Sequence, residues 1–156
     1  MHALEQARAP SLVLKDTTAA TVAVAFVCET IIVCHGAQAP TDEDWGHYLD
    51  IIAEHGAESR AQLIVSEGGA PKAKQRAQAL KIGKLAFAGR PMVPSAVMTG
   101  SPVVRAMVTL FNWIFPHRYR AFASHDFAQA AHFLGLSTPQ KQMVENTVRV
   151  LRHRCS

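Results

Sequence analysis

The sequence is poor in cysteine, and its cysteines form no recognisable binding or cross-linking pattern. Cys28, Cys34 and Cys155 are an odd number without a CxxC pair, whereas zinc sites and disulfide frameworks use closely spaced or even-numbered cysteines. Cys28 and Cys34 lie in strand-like apolar sequence, where cysteine packs as a small hydrophobic residue. We therefore expect neither a structural metal nor a disulfide.

Long apolar runs are also missing. The segment TAATVAVAFVCETIIVCHGA is interrupted by Glu29, and VVRAMVTLFNWIF contains Arg105 and stops at Pro116. A membrane-spanning helix needs about 20 consecutive apolar residues. The first ten residues, MHALEQARAP, lack the apolar core of a secretory signal. We expect a soluble, cytoplasmic protein without a transmembrane span.

Acidic residues are scarce in the second part of the chain. Residues 1–60 contain nine acidic and three basic residues, whereas residues 61–156 contain three acidic and thirteen basic ones. Between Lys72 and Arg90 there are six basic residues and no acidic residue. This asymmetry predicts an electropositive face that attracts anions, or a basic face that only favours solubility. Because no nucleic-acid-binding motif accompanies it, we do not expect a nucleic-acid partner.

Catalytic signatures are absent as well. The chain has eight histidines, but no HExxH, Gly-x-Ser-x-Gly or paired-carboxylate arrangement. His47 and His55 are two helical turns apart, too far to share one metal ion. No nucleophile, base and oxyanion donor occur together. We therefore predict a non-enzymatic protein that requires no cofactor.

The segments that are present alternate between strand-like and helix-like patterns. With 156 residues and 49% hydrophobic content, the chain suits one globular domain. The predicted strands are residues 11–15, 21–27, 30–34, 62–65, 95–99 and 119–123. The predicted helices are residues 41–56, 71–83, 101–115, 124–134 and 138–152. This order predicts a single α/β domain: a mostly parallel central sheet, edged by an N-terminal β-hairpin, with helices packed on it.

Two helices carry specific predictions about their ends and faces. In the helix at 71–83 we expect Pro71 in the first turn, Gly83 at the end, and a buried face of Ala73, Ala77 and Leu80. In the helix at 101–115, Ser101 has the position of an N-cap. Trp113 falls on the opposite side from Phe111, which indicates an exposed aromatic of the kind found at protein interfaces and membrane surfaces.

The stretch LIVSEGGAPKAKQR, residues 63–76, is the first candidate site. It has the outline of a strand, a glycine turn and a helix start, but neither a P-loop nor a dinucleotide fingerprint, because its glycines are adjacent. Free N–H groups at the helix start would receive an anion. The alternative is a glycine corner that only turns the chain. The predicted binding residues are Ser66, Glu67, Gly68, Gly69, Lys72 and Arg76.

A second strand–turn–helix junction lies at Thr99, Ser101 and Arg105. In an open α/β sheet, ligands bind in the crevice beyond the carboxyl ends of the strands. Both junctions should lie at that edge. We therefore add Thr99, Ser101 and Arg105 to the predicted partner-binding or ligand-binding surface, together with the exposed Trp113.

The whole layout resembles the STAS domain, the fold shared by anti-sigma-factor antagonists and the cytoplasmic tails of sulfate transporters. The similarity covers residues 20–136 and rests on the hairpin, the hydroxyl residue at a strand end, the helix start TDEDW and the late segment RAFASHDFAQAAHFLGL. It is nearest to a small bacterial branch related to lipid-transfer domains. The resemblance implies an N-terminal segment (1–18), a STAS-like domain (19–136) and a C-terminal helix (137–156) that packs on the domain or extends from it.

The resemblance also implies a regulatory role. STAS antagonists are phosphorylated on the serine of an Asp-Ser-Ser-Gly sequence; here the matching region reads VSEGGAP, so Ser66 is the one possible phosphosite and Glu67 opposes a second negative charge. The leading hypothesis is a cytoplasmic regulatory domain that binds a protein partner through its strand-end loops. The alternative is a module that binds a small anionic ligand or a lipid in a crevice between sheet and helices. A tightly packed core favours the first, and an apolar cavity of a few hundred cubic ångströms favours the second. The sequence leaves the oligomeric state open.

Overall fold

A five-stranded sheet forms the centre of the protein, in a computed structural model that describes residues 19–87 and 89–156. The strands lie side by side in chain order, with β1 antiparallel to β2 and every later pair parallel. The predicted strand at 11–15 and the segment 1–18 lie outside the described residues. The strands are β1 (Val22–Val27), β2 (Thr30–His35), β3 (Ala61–Ser66), β4 (Ser95–Thr99) and β5 (Tyr119–Phe122).

Five helices connect or follow these strands. Within residues 19–87 and 89–156, none has the length and apolar character that crossing a membrane requires. The predicted α/β fold, with a mostly parallel sheet and a hairpin at one edge, is confirmed. The helices are α1 (Asp42–His55), α2 (Ala73–Ala86), α3 (Pro102–Ile114), α4 (Phe127–Phe133) and α5 (Thr138–Arg154).

The two faces of the sheet carry different helices. On one face, which we call the closed face, Leu63 and Met98 pack with Ala130 of α4 and with Val144 and Leu151 of α5; all are nearly inaccessible. The other face, the open face, is covered by α1, α2 and α3. Because side chains alternate along a strand, the side chains of neighbouring residues of β3 lie on opposite faces of the sheet. The helix α5 lies on the closed face, where Val144, Val148 and Leu151 belong to the core.

On the open face, α2 packs against α1 more than against the sheet. The predicted buried face of α2 is wrong: Ala73 and Ala77 are exposed and Leu80 is half-buried, whereas Gln75 and Gly83 are buried. The reason is that α2 docks on its neighbour through a polar residue. The helix therefore turns a different side inward from the one its alanines indicate.

Gln75 provides this docking contact. Its Nε2 donates to the carbonyl oxygen of Pro40 (3.0 Å) and to Oδ1 of Asp42 (3.2 Å), and its own carbonyl oxygen accepts from Trp45 Nε1 (3.1 Å). Its Oε1 also accepts from the Lys72 backbone N–H (2.9 Å). One glutamine thus closes the start of α2 and fixes it to α1.

The ends of α2 differ from the prediction by a few residues. The helix begins at Ala73 with Lys72 as N-cap, so Pro71 precedes the cap. Gly83 is buried inside the helix, which continues to Ala86.

The start of α3 agrees with the prediction. Ser101 is the N-cap, and its Oγ accepts from the Val104 N–H (3.4 Å). Val104 and Val108 pack onto Val97 of β4. Trp113 is 77% exposed, as its position on the helix predicted.

Candidate functional site

A cavity of about 420 Å³ lies on the open face of the sheet, between α2 and α3. The cavity exists because α2 packs against α1, whereas α3 packs on β4 and β5. The helices therefore cover the open-face side chains of β3 incompletely. Ile64, in the middle of the central strand, is only half-buried, whereas its neighbours Leu63 and Val65 are inaccessible.

The walls of the cavity are mainly apolar. The sheet contributes Ile64 and Val97 as its floor. Apolar side chains of the two helices face each other across it. They are Ala79, Leu80 and Phe87 on the α2 side and Val104, Met107, Val108, Phe111 and Phe115 on the α3 side.

The charged residues that line the cavity are all basic. They are Arg76, Lys84 and Arg90, and no Asp or Glu of the described chain is among the lining residues. Arg76 and Lys84 lie in one row of α2, eight residues and about two turns apart. Arg76 Nη1 donates to the carbonyl oxygen of Pro71 (2.7 Å), and Arg90 Nη2 donates to that of Gly56 (3.1 Å). These bonds hold both guanidinium groups in place.

One end of the cavity is lined by a buried polar network. Gln62 Nε2 donates to the Tyr48 hydroxyl (3.2 Å), and Ser95 Oγ donates to Gln62 Oε1 (3.2 Å). Tyr119 lies next to Ser95 and lines the same cavity. Burial raises the pKa of both Tyr48 and Tyr119, so both phenols stay protonated at neutral pH.

His35 lies at the opposite end, at the carboxyl end of β2, and it is the functional candidate that sequence reasoning missed. It pairs with Ser66 in the sheet register and is 7% exposed. Its Nδ1 has no hydrogen-bond partner among the described residues. Burial lowers the pKa of His35 to about 4, so the ring is neutral at pH 7. A histidine that ends the apolar run TIIVCH was the only available signal.

The Ser66 hydroxyl is engaged in its own loop. Ser66 is 3% exposed, its Oγ donates to the Gly69 carbonyl oxygen (3.0 Å), and the Gly68 N–H donates to that Oγ (3.2 Å). A kinase would reach this hydroxyl only after the loop opened. Phosphorylation of Ser66 therefore stays a prediction, and the folded loop does not present the group.

Apart from Trp113, the remaining predicted residues lie along the carboxyl edge of the sheet. Glu67, Gly68 and Lys72 are exposed at its rim, and Glu67 Oε1 lies 3.6 Å from Arg152 Nε of α5. The two predicted junctions are joined directly, because Thr99 Oγ1 donates to the Ser66 carbonyl oxygen (3.0 Å).

The second junction is built around the buried Thr99. Its Oγ1 accepts from the Ser101 N–H (3.0 Å), and its carbonyl oxygen accepts from Nη2 of the exposed Arg105 (3.2 Å). Trp113 is separate from this edge, since twelve residues of helix place it about 18 Å from Ser101. Of the predicted residues, Ser66, Gly69 and Arg76 line the cavity.

No protein-family model and no curated protein matches the chain. Among solved structures, it is similar to an uncharacterized protein from the DUF3478 family with a SpoIIAA-like fold from Shewanella loihica PV-4. The identity is 16%, the match covers 77% of this chain and 98% of the other, and the TM-score is 0.57. At this identity the likeness establishes the fold, which agrees with the STAS-like layout that the sequence predicted. The chain therefore has a SpoIIAA-like fold.

Proposed function

We propose that the protein is a binding module for an amphipathic small molecule with an acidic head group. The apolar body of this ligand lies between α2 and α3, on Ile64 and Val97. The observation that carries the proposal is the cavity of about 420 Å³ with apolar walls, basic residues and no acidic lining residue in the described chain. Its volume falls within the range of about 300–1,000 Å³ that is usual for small-molecule sites.

The walls and the charges favour different parts of such a ligand. Burial of apolar surface contributes roughly 25 cal/mol per Å², so an alkyl or ring system gains most between the two helices. A carboxylate or phosphate gains from a charge-assisted hydrogen bond with a guanidinium group. Arg76 is the preferred partner because Pro71 already orients it, and a guanidinium has five N–H donors, of which this bond uses one.

His35 supports a polar head group at the same end of the cavity. A buried polar atom without a partner costs about 1–3 kcal/mol, and Nδ1 of His35 is such an atom within the described chain. A neutral imidazole has one donor and one acceptor nitrogen. It therefore pairs with a ligand oxygen without adding a buried charge.

A protein partner at the strand-end loops is the second candidate function. It is favoured by the exposed Glu67, Gly68 and Lys72, which lie in one loop that Ser66 and Thr99 tie to the neighbouring junction. In this case the module would be regulatory. Reversal of the rim charge by Lys72→Glu separates the two candidates, because Lys72 does not line the cavity: it should weaken a partner complex and leave small-molecule binding unchanged.

Calorimetric titration of the delipidated protein with three probes of equal tail length tests the proposal. The probes are dodecanoate, dodecanol and dodecylamine. We expect dodecanoate to bind most tightly and dodecylamine most weakly, with about tenfold or more between them, which corresponds to about 1.4 kcal/mol. If the folded protein binds none of the three, the proposal is wrong.

Substitutions in α2 test the position of the head group. Arg76→Gln should bring the affinity for dodecanoate close to that for dodecanol. Lys74→Gln is the matched control, because it removes one positive charge from the same turn at an exposed position outside the cavity. Equal losses in the two variants would show that only the overall charge matters and would contradict a head group at Arg76.

A further inference from the structure

The outward side of α3 is apolar and exposed. Trp113 and Ile114 are 77% and 62% exposed, and Val103 and Leu110 are exposed by more than half. At 100° per residue, Val103, Leu110 and Ile114 lie within about 40° of one another around the helix axis. We call Val103, Leu110, Trp113 and Ile114 the outer α3 stripe.

Packing within the fold does not account for this stripe. The contacts of α3 with the sheet come from Val104 and Val108 on another side of the helix. The outward side of a surface helix normally carries polar residues, and contiguous exposed apolar residues mark an interaction surface. Arg105 is the one charged residue of α3, and its position around the axis is about 160° from that of Val103 and about 180° from that of Ile114.

The charge of the surrounding chain indicates an anionic partner. Residues 68–125, which include α2, α3 and the loops beside them, contain no Asp or Glu. A second copy of this chain would bring like charges together, which disfavours a dimer on this side. The same segment contains nine basic residues: Lys72, Lys74, Arg76, Lys81, Lys84, Arg90, Arg105, Arg118 and Arg120.

The stripe is also continuous with the cavity. Met107 lines the cavity and lies about 40° around the helix from Val103, between the stripe and the cavity-lining Phe111. The apolar surface of α3 thus runs from solvent into the space between the helices, and Lys84 and Arg90 lie at the edge of that space. Aromatic and aliphatic residues beside basic ones are typical of helices that lie in a membrane interface.

We infer that α3 docks on the surface of an anionic lipid bilayer, with the outer α3 stripe at the level of the head groups and Lys84 and Arg90 facing lipid phosphates. The helix lies on the bilayer and does not cross it. This inference does not depend on the proposed cavity ligand. It concerns residues that do not line the cavity, apart from the two basic ones.

Tryptophan fluorescence and vesicle co-sedimentation test this inference with the full chain. The chain has two tryptophans, and Trp45 is 4% exposed while Trp113 is exposed, so docking should appear as a blue shift of Trp113. We expect binding to phosphatidylglycerol-containing vesicles, little binding to pure phosphatidylcholine vesicles, and weakening by added salt. The inference is overturned if Trp113 shows no blue shift and the protein does not co-sediment with the anionic vesicles. A protein partner would then be the occupant that explains the stripe.

A matched pair of variants locates the contact. The double variant Leu110→Gln with Ile114→Gln should lower vesicle binding at least tenfold without changing the melting temperature or the affinity for dodecanoate. Val150→Gln is the control, because Val150 is also exposed but lies on α5, which packs on the closed face of the sheet. Equal vesicle binding by the double variant and the control would contradict the inference. A wild-type dimer that the double variant abolishes would contradict it as well, since a second copy would then cover the stripe.

Discussion

Gly69 lies where two loops of the backbone cross without room for a side chain. Its N–H donates to the Gly36 carbonyl oxygen (2.9 Å), and a Cβ at this position would clash with the carbonyl oxygens of Gln38 and Gly36. Gly68 has a φ of 114°, which L-residues rarely adopt. Both glycines of the SEGGAP loop are therefore required by the backbone, which supports a glycine corner at these two positions.

Substitution of Gly69 by alanine should destabilise the fold. Because the neighbouring atoms are backbone carbonyl oxygens, they cannot move aside easily, and we expect a loss of about 1–3 kcal/mol. Gly100→Ala is the matched control, since no atom lies within 4 Å of a Cβ there and its φ is not positive. Urea unfolding of both variants measures the difference. If Gly69→Ala unfolds at the same urea concentration as Gly100→Ala, the two loops are not in close contact in solution.

Single residues were predictable from the sequence where a local rule determines them. Ser101 is an N-cap because a hydroxyl precedes a proline and an apolar helix, and Trp113 is exposed because of its angle on that helix. His35 was not predictable, because its significance comes from burial beneath α1 and from an Nδ1 without a partner among the described residues. Neither property is encoded near position 35.

At the level of elements, α2 depends on one polar residue for its place. Gln75 is 1% exposed, and its amide and backbone groups bond with Pro40, Asp42, Trp45 and Lys72. The sequence indicates an alanine face for this helix, and that prediction failed because a buried glutamine outweighs the alanines. Periodicity identifies apolar faces, but it does not identify a polar group whose partners belong to another helix.

Replacement of Gln75 by methionine should loosen α2. The change keeps the approximate volume but leaves the Pro40 carbonyl oxygen and the Lys72 N–H without their partner, at a cost of about 1–3 kcal/mol for an unsatisfied buried group. Gln78→Met on the exposed side of α2 is the control. Amide hydrogen exchange of α2, together with urea unfolding, measures the effect. Unchanged protection of α2 in Gln75→Met would mean that apolar contacts with α1 suffice to hold the helix.

At the level of the molecule, the sheet has one face that is filled and one that is not. The order of strands and helices was predictable, because alternation of β and α patterns specifies a parallel sheet. The sequence predicts a cavity only as one of two alternatives. Its existence depends on the distance between α2 and α3, which is set by tertiary packing on α1 and on β4 and β5. That distance has no local sequence signal.

Adjacent residues of β3 make the difference between the two faces measurable. Leu63 is inaccessible on the closed face, so Leu63→Ala should cost about 2–5 kcal/mol and leave dodecanoate binding unchanged. Ile64 is half-buried on the open face and forms the cavity floor. Ile64→Ala should therefore cost only about 1–2 kcal/mol, because fewer of its contacts are with the protein.

The same Ile64→Ala variant should lose about tenfold in affinity for dodecanoate. Each apolar carbon buried against the ligand contributes roughly 0.8 kcal/mol, and the ligand covers only part of the Ile64 side chain. Urea unfolding and calorimetry on both variants give four values, and the expected pattern is a crossed one. Leu63→Ala affects stability, and Ile64→Ala mainly affects binding. If both variants lose the same stability and dodecanoate affinity does not change, the open face is packed in solution as tightly as the closed face. Leu63 and Ile64 would be equivalent only if no cavity were present next to Ile64.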